Sequence, residues 1–261
     1  ARERQVRDEA EEPRVTAAPR GRDGRVELRL LGRFELAIDG AAVAVSRTGQ
    51  RVLARIALSG CTESRTTLAG TLWPEHPDPR AQANLRGALW RLPAPVRDHM
   101  VVRTSLVGFD DDWIVDLATA EDVARSPASP RHGTGGDTGG DSAVFRLDLL
   151  PDWDEPWLVV ERERHRQLRL HALEDLAARD LRDGRPLDAI DCALLCVAAE
   201  PLRESAQALV IHAHLAAGNR AAALASFERF RCLLADELDV DPSRELCTLV
   251  AGLSRTTPPA S

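Results

Sequence analysis

The chain has 261 residues, 44% hydrophobic and 29% charged, enough for one large domain or two ordinary ones around a real core. No apolar run approaches the roughly 18–20 residues of a membrane span, and no charged-then-apolar segment opens the sequence, so neither a membrane protein nor a Sec-exported one is expected. All 34 basic residues are arginine, so arginine counts alone carry no functional weight.

Five cysteines, Cys61, Cys192, Cys196, Cys232 and Cys247, are too few and too irregular for a disulfide scaffold. They are expected to be buried structural thiols in a cytoplasmic protein. Cys192 and Cys196 are not a C-x-x-C pair, and His212 and His214 fall on different faces of a helix, so no metal and no cofactor is expected.

The net charge of −7 argues against nucleic acid until it is divided along the chain. Residues 24–109 carry +5 and residues 118–261 carry −8. A basic front half is joined to an acidic back half.

Residues 1–24 are charged, proline-bearing and without apolar periodicity, and read as a disordered arm. Alternation at Val26–Leu30 and Phe34–Ile38 predicts two strands, with Asp39-Gly40 as the turn and Val43–Val45 resuming the strand. A helix is predicted over Gly49–Leu58, closed by Gly60. Ser64 precedes a short helix carrying Leu68 and Leu72 and stopped by Trp73-Pro74. Pro79 opens a third helix at a first-turn position, and Val101–Arg103 with Leu106–Phe109 predict a hairpin. Sheet, three helices and hairpin in that order read as a winged helix-turn-helix with an added N-terminal sheet.

In the third helix, Ala81, Leu85, Ala88, Leu89 and Leu92 form one apolar stripe. The opposite side holds Ala83, Arg86, Gly87 and Trp90, flanked by Arg80, Asn84 and Arg91. Arginine and asparagine suit guanine and adenine edges or phosphates, and small residues permit close approach. Trp90 could face DNA or pack against the wing.

Ser126–Ser142, rich in Gly, Pro and Ser, reads as a linker or a long flexible loop. Beyond it the chain is helical and repetitive. Gly184 and Gly218, Leu181 and Leu215, and Ala189 and Ala223 are each 34 apart, the tetratricopeptide period. The expected core face of the second of these helices is Ala189, Ile190, Ala193, Leu194 and Val197. A short solenoid of helix pairs offers a surface for protein contact.

Leu72-Trp73-Pro74, Ala83-Asn84-Leu85-Arg86 and Ala88-Leu89-Trp90-Arg91-Leu92 resemble the DNA-binding half of the SARP family, the Streptomyces antibiotic regulatory protein type. Leu149–Trp153, Glu161–Arg164, Pro201–Ala206, Ala213–Arg220 and Asp241-Pro242-Ser243 are similar, in order, to its bacterial transcriptional activation domain. The resemblance covers roughly residues 26–252. It implies an α+β, OmpR-like winged helix-turn-helix at 25–117, a linker at 118–145 and an all-α tetratricopeptide-like activation domain at 146–255. It also implies two protomers on direct repeats of promoter DNA, contact with RNA polymerase and its sigma factor, and a bacterial, nucleoid-associated location. Arg86 and Asn84 are then the expected base contacts, with Arg80, Arg91, Arg47, Arg51 and Arg103 on phosphates. Glu75, His76 and Asp78, in the loop before the third helix, are the expected polymerase contacts, and Trp73 is expected in the core. Pro93-Ala94-Pro95 cuts short the arginine-rich end of the recognition helix usual in the family.

An enzyme is not expected. No G-x-S-x-G or similar turn places a nucleophile beside a base. Asp110-Asp111-Asp112 reads as a solvated turn rather than a cation site, because no spaced further ligand follows it. The alternative reading is a tetratricopeptide-type scaffold that binds protein and not DNA.

Overall fold

The computed structural model of the chain describes residues 24–118, 120 and 144–251. The arm expected before residue 24 and the segment Ser126–Ser142 lie outside the described residues. The architecture is an α+β unit followed by an all-helical one.

Strands β1 (Val26–Arg29) and β2 (Glu35–Ile38) pair antiparallel with Val26 opposite Ile38 and Leu28 opposite Leu36. Asp39 and Gly40 both take positive φ, 50° and 77°, as a two-residue hairpin turn requires. The turn consumes only those two residues, so β3 is Ala41–Ala42 and not the expected Val43–Val45. Helix α1 (Arg47–Leu58) is capped by the Ser46 hydroxyl, which accepts the Gly49 N–H, and buries Val52, Leu53 and Ile56. A short β4 (Thr62–Ser64) leads into α2 (Arg65–Leu72), where the Ser64 hydroxyl accepts the Thr67 N–H at 3.0 Å.

Helix α3 (Asp78–Trp90) buries Ala81, Leu85, Ala88 and Leu89. It stops two residues before the predicted Leu92, because Pro93 caps a new short helix, α4 (Ala94–Asp98). Strands β5 (Met100–Val102) and β6 (Leu106–Phe109) form the expected hairpin, and β4 adds to its β6 edge. A side chain at Gly108 would meet the Cys61 carbonyl and the Thr62 hydroxyl at 2.7 Å, so glycine lets β4 lie this close. Strand β7 (Trp113–Val115) returns to pair parallel with β1, giving a four-stranded sheet in the order β3-β2-β1-β7. The sequence showed no separate signal for α4, β4 or β7, each of which is five residues or shorter.

The helical unit comprises α5 (Leu158–Arg182), α6 (Pro186–Ala199), α7 (Glu204–Ala216), α8 (Arg220–Leu238) and α9 (Arg244–Ala251). Gly184 and Gly218, the pair 34 residues apart, end α5 and α7 with φ of 72° and 76°, where a side chain would be strained. The buried stripe of α6 is Ala189, Cys192, Ala193 and Cys196, at i, i+3, i+4 and i+7. Leu194, expected on the core face, is exposed because it lies two residues, about 200°, from the thiols on either side. Burial pushes the Cys196 thiol up to about 11. Cys192 and Cys196 are buried as expected, whereas Cys232 is exposed.

One contiguous core runs from Val26 in β1 to Ala213 in α7, and a smaller one joins Ile211 to α8 and α9 through Phe227, Phe230, Leu246 and Val250. Ala120 and Phe145, near the ends of the segment read as a linker, are both buried in the larger core.

The α5–α7 contact is closed by a two-toothed ion pair: Arg203 donates from Nε and Nη2 to the two Glu174 carboxylate oxygens, each at 2.7 Å. Ser205 donates to the same carboxylate. Burial alone would raise the Glu174 carboxyl, but the Arg203 and Ser205 hydrogen bonds outweigh it and hold the group below its ordinary value. A carboxylate lowered on folding stabilises above its unfolded pKa and loses that contribution as pH falls through the folded one. Glu174→Gln should therefore cost about 1–2 kcal/mol near pH 7, allowing for partial solvent screening. Urea unfolding at a series of pH values should show the gap to the parent chain narrowing below the ordinary carboxylate range.

Candidate nucleic-acid interface

The solvent face of α3 is built by elimination. Four apolar side chains anchor the helix on α1 and α2, which leaves Arg80, Ala83, Arg86 and Trp90 exposed and Asn84 and Gly87 half-buried between them. Arg91, just past the helix end, folds back so that a side chain at Gly87 would sit 3.2 Å from its guanidinium. Gln82 donates to the Arg65 carbonyl at 3.1 Å, fixing the start of α3 against α2. Trp90 is 76% exposed, which settles its two expected placements in favour of solvent. An open groove separates it from the β5–β6 hairpin, lined by Arg65, Arg86, Arg97, Met100 and Val102. Arg97 donates to the Trp90 carbonyl at 3.1 Å, and Arg103 is exposed at the hairpin turn. From Pro79 to Leu92 this face carries arginine, asparagine and small residues, and no acid. It can offer planar bidentate donors to an anionic, groove-shaped surface.

The structure brings Arg80, Asn84, Arg86 and Arg91 onto or beside one face, with Arg103 across the groove. It directs Arg47 and Arg51 elsewhere. The Arg51 Nε lies 2.8 Å from a Glu155 carboxylate oxygen, and its Nη2 donates to the Leu72 carbonyl at 2.8 Å. The Arg47 guanidinium lies 3.8 Å over the Trp153 ring, with Glu155 at 4.0 Å. Both side chains turn towards the helical unit and away from the phosphate contacts expected of them.

Arg55, one turn further along α1, reaches Glu63 at 2.7 Å and Glu161 of α5 at 3.2 Å. Glu75, in the loop between α2 and α3, and Asp78, the first residue of α3, are exposed. His76 is half-buried, with its Nδ1 enclosed and without a hydrogen bond, so it is not one of the exposed groups the sequence suggested. Trp73 is half-buried against the core, as expected. Among the described residues no helix is long and apolar enough to cross a membrane.

A family model described as "bacterial transcriptional activator domain" matches residues 142–253. The regulatory protein AfsR of Streptomyces coelicolor is 32% identical over 237 residues, 84% of this chain and 23% of that protein. The protein of the same name from Streptomyces griseus is 31% identical over 205 residues, 72% of this chain and 20% of that one. The chain thus spans between a fifth and a quarter of the length of these relatives. Among solved structures, Mycobacterium tuberculosis EmbR, in complex with a low-affinity phosphopeptide, superposes with a TM-score of 0.63 at 20% identity, over 91% of this chain and 67% of that one. That likeness is one of fold.

An α+β unit with an arginine-faced helix is thus joined to a domain that matches bacterial transcriptional activator domains. Over most of its length the chain is similar to regulators of the SARP type.

Glu63 is buried, and Arg55 is its ion-pair partner. Removing one member of a buried pair leaves an uncompensated charge, so Arg55→Ala is expected to lower the unfolding free energy by about 3–5 kcal/mol. Arg55→Met combined with Glu63→Leu should recover most of that loss, as read by denaturant unfolding of both variants.

Proposed function

We propose that the chain is a sequence-specific DNA-binding transcriptional activator. In this reading the front unit, residues 25–117, is an OmpR-like winged helix-turn-helix. Helix α3 is the recognition helix and the β5–β6 hairpin is the wing. The observation that carries the reading is the solvent face of α3 from Arg80 to Trp90, which holds no acid and lies beside a hairpin with an exposed arginine at its turn. The tetratricopeptide-like unit, residues 146–255, contacts the transcription machinery instead of DNA, since its acidic balance repels phosphate. Residues 118–145 connect the two. Promoter DNA, RNA polymerase with its sigma factor and a second protomer on a direct repeat are the proposed partners, in the bacterial cytoplasm at the nucleoid. One winged helix buries only roughly 600–1,000 Å² on DNA, which is why a second protomer is invoked for selectivity. Control of a biosynthetic gene cluster is part of the proposal.

Arg86 and Asn84 take the base edges in the major groove, with Arg80 and Arg91 on flanking phosphates and Arg103 on the backbone beside the wing. Arg47 and Arg51 contribute little direct contact in this arrangement, being turned onto Trp153 and Glu155. The exposed acids Glu75, in the loop before α3, and Asp78, at the first position of α3, face a basic surface of the polymerase or sigma factor. Rim pairs of this kind set orientation more than affinity.

Oligonucleotide titration at two salt concentrations distinguishes this reading from a protein-binding scaffold, because phosphate contacts must weaken as salt rises. On an operator located by chromatin immunoprecipitation, Arg86→Ala should cost about 1–3 kcal/mol of affinity and relax base preference at one position. Unchanged affinity and preference would remove α3 from the major groove. Glu75→Ala with Asp78→Ala should leave operator binding intact and lower transcription in a purified system. Equal loss of both activities would instead place that loop on DNA.

A further inference from the structure

Behind the β5–β6 hairpin, three side chains from two separate turns converge. His99 caps the end of α4, immediately before β5, while Asp110 and Asp112 lie in the turn between β6 and β7. The backbone holds them together. The His99 carbonyl accepts the Trp113 indole N–H at 2.7 Å and the Asp110 N–H at 3.2 Å, and Phe109 stacks on Trp113 with ring centroids 3.9 Å apart. Asp110 Oδ1 accepts the Asp112 N–H at 3.2 Å, which turns its Oδ2 inward.

His99 is only 6% exposed, and its buried Nδ1 makes no hydrogen bond. That nitrogen stands 3.4 Å from Asp110 Oδ2 and 3.4 Å from Asp112 Oδ2. An imidazolium donating to one acid would settle at about 2.8–2.9 Å from it. An equal, longer approach to both, with a hydrogen bond to neither, is the geometry of atoms around a shared centre. Ligands about 2.1 Å from a tetrahedral ion are roughly 3.4 Å from one another. The three ligand atoms all lie within 4.8 Å of each other.

We propose that His99, Asp110 and Asp112 form a divalent-cation site at the base of the hairpin. One imidazole and two carboxylates suit a borderline transition ion such as Zn²⁺ better than Mg²⁺ or Ca²⁺, which prefer all-oxygen shells. Two carboxylates balance the charge of the ion, and the exposed side of Asp112 leaves a coordination position for water. The ion ties the end of α4 to the β6–β7 turn, so the two strands of the hairpin are fastened at their root. This inference is independent of what the hairpin touches.

The test uses the full chain, stripped with a chelator and titrated calorimetrically with Zn²⁺. The expected result is one ion per chain, an increase in thermal midpoint, and an absorption-edge spectrum with a nitrogen and oxygen shell near roughly 2.0–2.1 Å and no sulfur. Asp110→Asn with Asp112→Asn preserves side-chain shape and every cysteine. It should weaken uptake by at least roughly tenfold and abolish the thermal shift. A circular dichroism spectrum matching the parent chain establishes that the variant folds. Zinc carried on sulfur, uptake unaltered in the double variant, or no uptake by the folded parent chain would each overturn the proposal.

Discussion

Helix α1 is the element that both units need. Its apolar face, Val52, Leu53 and Ile56, supports α3 from below, while Arg47, Arg51 and Arg55 run along another edge at intervals of one turn. All three reach acids or an aromatic ring of the helical unit: Trp153 and Glu155 for the first two, Glu161 for the third. Ion pairs in such half-buried places contribute little net stability, because desolvation offsets attraction, yet removing one partner is costly. They therefore specify how the units sit more than they hold them together. The holding is done by the shared core and by backbone bonds: Leu150 N–H to the Leu30 carbonyl at 2.9 Å, and Gly32 N–H to the Asp148 carbonyl at 2.7 Å. Asp116 adds a carboxylate that accepts the Leu30 and Leu31 N–H groups at 3.0 Å. Burial raises that carboxyl, and those N–H bonds only partly counter it.

This arrangement changes what the charge division means. Read along the sequence, the front half carries a surplus of arginine. In the fold, much of the α1 contribution is matched by Glu155, Glu161 and Glu63, so it is not presented outward. The arginines left facing solvent near α3 are Arg80, Arg86, Arg91, Arg97 and Arg103, on one side of the unit. The fold concentrates a diffuse surplus on one face, and a focused patch steers an anion more effectively than the same charge spread evenly.

Much of this was legible in the sequence, and the failures have physical causes. Helix periodicity located α3 and its buried stripe because four anchors at helical spacing leave one solution for which face is outward. The 34-residue spacing found Gly184 and Gly218 because a left-handed turn admits glycine most readily. Short elements were missed where pattern is too brief to count: β7 has three residues and exists because β1 offers it an edge. Helical spacing from Ile190 puts Leu194 on the core face, whereas the buried stripe runs through Ala189, Cys192, Ala193 and Cys196 and leaves the leucine outside. The destinations of Arg47 and Arg51 could not be read locally, since Trp153 and Glu155 lie about 100 residues away. The third member of the acidic turn was invisible for a related reason: a search downstream of Asp112 passes over His99, which is brought back by a hairpin.

The segment read as a linker bears on the placement of the two units through its described ends. A tether would let each unit tumble alone, and any partner of the helical unit would meet a broad range of positions relative to α3. Ala120 and Phe145 are instead buried in the core that both units share, and the residues immediately after Phe145 pair with the backbone that follows β1. The two units are thereby fixed in one orientation whatever the path between residues 120 and 144. Rotation of the helical unit would have to break the Leu31–Leu149 pairing, the α1 ion pairs and the burial of Phe145 together. A surface on α5–α9 is consequently held at a set distance and angle from the solvent face of α3. In the proposed reading, contacts made by the two faces are linked as in a bivalent unit, in which the first fixes where the second must occur. The placement of the helical unit relative to α3 is built into the seam along α1.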